Sequence, residues 1–110
     1  MIPLEAMATG MPTIVTDATG CKEYSHLAIR LSAEQTKAHW HDHVYGADTG
    51  EWYSPNIEDL LQIMSSVANE YETVSDSALK SARIVHAEWS WSAVADKIIA
   101  RYEDFEKTFK

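Results

Sequence analysis

The chain has 110 residues and a formal net charge of -8, with nine Lys and Arg against seventeen Asp and Glu. That length holds one domain, and that charge opposes non-specific binding to nucleic acid or to anionic membrane, both of which need a positive field. Cys21 is the only cysteine, so an intrachain disulfide is excluded and a reducing compartment is consistent. No apolar run reaches the length that crosses a bilayer. The start lacks the basic and apolar segments of a secretion signal, so the expectation is a cytoplasmic protein.

In chain order, residues 3–9 read as the end of a helix with Leu4, Met7 and Ala8 on one face. Gly10 is a natural helix stop, and Pro12 forbids continuation. Thr13-Ile14-Val15-Thr16 is β-branched throughout, which favours a strand. Asp17 to Gly20 reads as a turn and Lys22 to Ser25 as a short helical turn. Leu27, Ile29 and Leu31 alternate with Ala28 and Arg30, the period of a second strand. From Ser32 to Trp52 the pattern fails. Ser32-Ala33-Glu34-Gln35 could start a brief helix, and the remainder reads as a long loop, of the kind that is commonly functional.

Ser54-Pro55 has the form of an N-cap followed by proline at the first helical position. Ile57, Leu60, Leu61, Met64, Val67, Ala68 and Tyr71 recur at helical spacing, which predicts an amphipathic helix over 55–71. A second helix is expected over 75–88, with Ala78, Leu79, Ala82, Val85 and His86 inward. Ser90 can cap a third, carrying Trp91, Val94, Ala95, Ile98, Tyr102, Phe105 and Phe109 on one stripe. The order is α/β in character: a short parallel sheet with helices around it, ending in three C-terminal helices.

Two blocks carry a resemblance to a known family. The first is residues 1–24, with Pro3-Leu4-Glu5-Ala6-Met7-Ala8, the Gly10-Met11-Pro12 turn, the strand to Thr16, and Gly20 and Glu23 beyond it. The second is residues 51–105, with Glu51-Trp52-Tyr53-Ser54-Pro55-Asn56 leading into a helix and Glu88-Trp89-Ser90-Trp91 followed by Ala95. Together they resemble the C-terminal, donor-binding domain of retaining glycosyltransferases of the GT-B fold, family 4 type.

The resemblance implies a partial Rossmann-like domain that binds a UDP- or GDP-linked sugar. The reaction it implies is transfer of a hexose with retention at the anomeric carbon. In that family two glutamates stand eight positions apart, the first touching the donor sugar and the second holding the ribose hydroxyls. Glu5 matches the second, flanked by Pro3 and Leu4. The first would fall before Met1. Asp17, Thr19, Gly20 and Glu23 match a donor-proximal turn, with Thr19 standing where relatives have the first glycine of a pair. The acceptor-binding N-terminal domain has no counterpart in the sequence. The expectation is therefore a single truncated domain, inactive alone, completed by a missing domain or a companion chain. No cofactor or metal is implied.

The residue chemistry fits such a role. A carboxylate accepts both hydroxyls of a vicinal diol when a rigid element aims it, and ligands of open α/β sheets gather at the C-terminal ends of strands. Other readings stand beside it. Glu5 as an exposed helix carboxylate, and Asp17 and Glu23 as turn and cap residues, are the bland alternatives. His39, His41 and His43 alternate, which in an extended segment would place three rings on one face, a metal-binding arrangement; an exposed polar loop is the competing reading. An apolar last helix with no partner domain would favour self-association into a homo-oligomer, which makes a non-enzymatic interaction module the main rival function.

Overall fold

The computed structural model describes residues 1–38 and 50–108. The histidine triplet at 39, 41 and 43, and Phe109, lie outside the described residues. Helix α1 spans Ile2–Ala8 and ends in a tight reversal at Gly10. Strand β1 covers Ile14–Thr16. Two 3-10 turns, Thr19–Glu23 and Ser25–Leu27, lead into β2 at Ile29–Leu31. Strand β3 is Ala33–Lys37 and β4 is Glu51–Pro55. Helices α2 (Ile57–Asn69), α3 (Tyr71–Glu88) and α4 (Trp91–Thr108) complete the described chain. The class is mixed α/β with a short two-stranded parallel sheet, as expected.

The stop after α1 has a definite cause. Gly10 adopts φ +78°, a left-handed conformation that glycine enters without steric cost. Its N–H donates to the Met7 carbonyl at 2.9 Å, and Met11 N–H reaches back to Ala6 at 3.3 Å. These two bonds are the Schellman pattern, which satisfies carbonyls left open at a helix end. The reversal delivers Ile14, Val15 and Thr16 into a parallel ladder with Ile29, Arg30 and Leu31.

The core is small and lies where α1, the sheet and α3 meet. Met7, Val15, Tyr24 and Val85 are buried together, with Leu4, Ala8, Cys21, Leu27, Ala28 and Trp89 packed around them. Leu4, Met7 and Ala8 do share the inward face of α1. His86 joins α3 to α1 through a 2.9 Å contact between Nε2 and the Ala8 carbonyl. A carbonyl only accepts, so Nε2 carries the proton.

Three expectations are corrected. The segment read as a helix start after Ser32 is β3, antiparallel to β4 with Ala33 opposite Pro55 and Lys37 opposite Glu51. The ladder hydrogen bonds override the helix preference of Ala, Glu and Gln. Ser54 is not the cap of α2; Asn56 is, its side chain accepting from Asp59 N–H at 3.0 Å, while Pro55 ends β4. The helices either side of Glu70 are split differently from the expected 55–71 and 75–88, because Glu70 leaves helical geometry at φ -119°, ψ 30°. Burial also differs within the stripes. On α3 Ala82 and Val85 are buried, but Leu79 is half exposed; on α2 Ile57, Leu61 and Met64 face outward, while Leu60, Ile63 and Val67 are half-buried.

Tyr24 is the most polar member of the core. Its hydroxyl donates to Cys21 Sγ at 3.2 Å, and its ring meets Trp89 edge-on with centroids 5.8 Å apart. The bond to Cys21 and burial push its pKa from 10.0 up to about 12. The fold therefore holds a proton that the unfolded chain releases. The resulting stabilisation is complete below about pH 10 and is lost as pH rises to about 12. Urea midpoints should fall across that window in the natural chain and stay flat in Tyr24→Phe relative to it. An identical alkaline decline in both would assign the loss to other groups.

Candidate functional site

Glu5 lies in the middle of α1 and is exposed. Its backbone belongs to the helix, but among the described residues no side chain engages its carboxylate. It borders a groove of about 360 Å³ that runs between α1 and the α3–α4 junction. Met1, Leu4, Val85, Trp89 and Trp91 give that groove an apolar wall, and Glu5, His86 and Ser90 are its polar members.

The walls of the groove are held in place from several sides. Trp89 takes Tyr24 against one edge, and Lys97 Nζ stands 5.8 Å from the ring centroid. The same ammonium donates to the Glu88 carbonyl at 3.0 Å, capping α3. Ser90 Oγ accepts from Ala93 N–H at 3.2 Å, so Ser90 caps α4 as expected. On the opposite wall, the buried Met7 fixes the rotation of α1 and hence the direction of Glu5. A carboxylate on so constrained a helix is aimed before any ligand arrives.

The residues expected to form one donor site occupy two places. Leu4 lies beside Glu5 in the groove, whereas Pro3 does not line it. Asp17, Thr19, Gly20 and Glu23 sit beyond the C-terminal end of β1 and do not line it either. Asp17 accepts a 2.6 Å bond from the buried Ser25 hydroxyl and stands 3.8 Å from Arg30 Nη1. It thus latches the 3-10 turns to the sheet. At the end of β2, Ser32 donates through both its N–H and its hydroxyl to Asp59, at 3.1 and 2.6 Å. Those bonds hold the Asp59 carboxyl below its ordinary pKa. Asp17 with Ser25 and Arg30, and Ser32 with Asp59, are therefore engaged with one another.

Thr19 adopts φ +51°, a conformation that costs a β-branched residue energy. Gly20 has negative φ and open space around it. The left-handed residue of this turn is thus Thr19 and not the adjacent glycine, so the backbone is held here with strain. The sequence pattern places His86 on the inward face of its helix and Trp91 on the apolar stripe of the next, and Trp89 enters only through the resemblance. No sequence signal joins them to Glu5, because they lie at the opposite end of the chain.

Among the described residues no group of three or more His, Cys, Asp or Glu could hold a metal. No described helix is long and apolar enough to cross a membrane. Compared with known proteins, the chain matches no family model, no curated protein and no solved structure.

Proposed function

We propose that this chain is the donor-binding part of a retaining glycosyltransferase of the GT-B kind, acting in the cytoplasm on a UDP- or GDP-linked hexose. The observation that carries the reading is the Glu5 carboxylate: exposed, unengaged among the described side chains, and fixed on a helix that borders an apolar groove with two tryptophans. In this role Glu5 accepts the two ribose hydroxyls of the donor nucleotide. The groove itself supplies no lysine or arginine. Transfer needs cations on the leaving diphosphate and a positioned acceptor, so the chain alone binds donor without turning it over.

Titration with UDP and with GDP tests this directly. Trp89 and Trp91 line the same groove as Glu5, so binding should change tryptophan fluorescence in a saturable way. A hydrogen bond to a charged group contributes about 1.5–3 kcal/mol. Glu5→Ala should therefore weaken binding by about tenfold or more. Equal affinity in the natural chain and the variant, or no saturable change with either nucleotide, would overturn the assignment.

A second reading, an interaction module without catalysis, draws on a different observation. Every residue of β4 is exposed, and large apolar side chains on α2 and α4 face outward. In a chain of 110 residues the radius of gyration is 18.5 Å, against about 13 Å for a compact domain of that size. Such surfaces are suited to a protein partner.

A further inference from the structure

Helix α4 carries an apolar stripe that is largely exposed to solvent. Trp91 is 79% exposed, Ile98 64%, Tyr102 63% and Phe105 61%. With Ala95 between the first two, these residues follow one another in alternating steps of four and three. That alternation keeps apolar side chains on one line of a helix that supercoils with another. Trp91, Ile98 and Phe105 take one of the two core positions of the heptad, and Ala95 and Tyr102 take the other.

We propose that α4 pairs with α4 of a second copy of this chain as a short parallel coiled coil. The residues flanking the seam select both the partner and its direction. In a parallel pair, the residue before each Ala95-type position faces the residue five places further along the other helix. Arg101 then meets Glu106 of the second copy, an opposite-charge pair. Val94 meets Ile99 of the second copy, an apolar pair, which gives Ile99 a neighbour for a side chain otherwise 56% exposed. An antiparallel pair in the register that sets Ala95 opposite Phe105 would instead bring Arg101 against Arg101. Among the described residues Glu106 receives a 3.5 Å contact from the Tyr102 hydroxyl, at the outer limit of hydrogen bonding, which an arginine would readily displace.

The 18-residue helix is only about 27 Å long at 1.5 Å per residue. Its seam is short for a permanent interface, so the pair forms and separates with concentration. This inference goes beyond the donor-binding reading; Trp91 and Val94 also line the groove beside Glu5, whereas Ile98, Arg101 and Glu106 lie outside it, so variants at those three test the pair separately.

Sedimentation velocity on the full chain, from about 5 µM to about 500 µM, spans the range in which so small an interface should convert monomer to dimer. Ile98→Glu places a charge in the seam of an exposed helix face and should abolish the dimer while circular dichroism keeps its helical signal. Arg101→Glu should weaken association, and Arg101→Glu combined with Glu106→Arg should restore it. A monomer throughout the range, a dimer indifferent to Ile98→Glu, or a double exchange that fails to restore pairing would each overturn the proposal.

Discussion

Met7→Ala should destabilise this protein more than any other single truncation of a side chain. Met7 is 2% exposed and sits between α1, the sheet and α3. Removing a buried methionine to alanine costs about 2–5 kcal/mol, from lost transfer energy and the cavity left behind. The upper part of that range applies where neighbours cannot collapse into the space. Here Val15 is held by the parallel ladder and Val85 by the hydrogen-bonded last turn of α3, so collapse is restricted. Domains of ordinary size are stable by only about 5–15 kcal/mol, and a core this small places the chain toward the lower end. Urea denaturation followed by circular dichroism should show either a midpoint far below that of the natural chain or no folded baseline. A shift of less than about 1 kcal/mol would mean that α1 does not depend on this contact. The functional consequence follows the same path, because Met7 sets the rotation of the helix that carries Glu5. Under the proposed donor-binding role, nucleotide affinity should fall with stability in Met7→Ala, whereas in Glu5→Ala it should fall without it.

Gly10→Ala tests the reversal that joins α1 to β1, and about 2 kcal/mol of destabilisation is expected. One part is conformational: an alanine at φ +78° occupies the left-handed region at a cost of about 1 kcal/mol or more. The other part is steric. A Cβ at Gly10 would stand 2.7 Å from Leu79 Cδ2, and relieving that contact forces the leucine toward a poorer rotamer at about 0.5–1.5 kcal/mol. Leu79 is half exposed, so its tip can yield while its backbone, 3.9 Å away, need not move. The two parts separate in a double-mutant cycle. Leu79→Ala should recover the steric share in the Gly10→Ala background and leave the conformational share intact. Full recovery would show that the left-handed backbone is not the source of the cost.

What could be read in advance follows from the range of the forces involved. The stop at Gly10 and the strand at Ile14–Thr16 depend on residues within a few positions of one another, through backbone sterics and side-chain branching. Ser90 as the cap of α4 is equally local. Strand β3 is different. Ala33, Glu34 and Gln35 prefer helix on their own, and they become strand because Tyr53, Ser54 and Pro55 lie opposite. The Gln35 and Glu51 side chains hydrogen-bond across that pair, a partnership no local pattern announces. The cap of α2 moved from Ser54 to Asn56 for the same reason, since β4 extends through Pro55.

The candidate site divides in the same manner. The sequence by itself determined that Glu5 would stand on a helix ending at Gly10, because helix periodicity and a glycine stop are properties of a few consecutive residues. It also determined that α4 would bear an apolar stripe, because spacing along one helix is enough to define a face. Only the tertiary structure decided that Glu5 shares a groove with Trp89 and Trp91, while Asp17 is bound to Ser25 at the sheet edge. Which distant side chains meet depends on how α3 crosses α1, and that crossing is fixed by the packing of Met7 and Val85 rather than by anything either segment encodes alone.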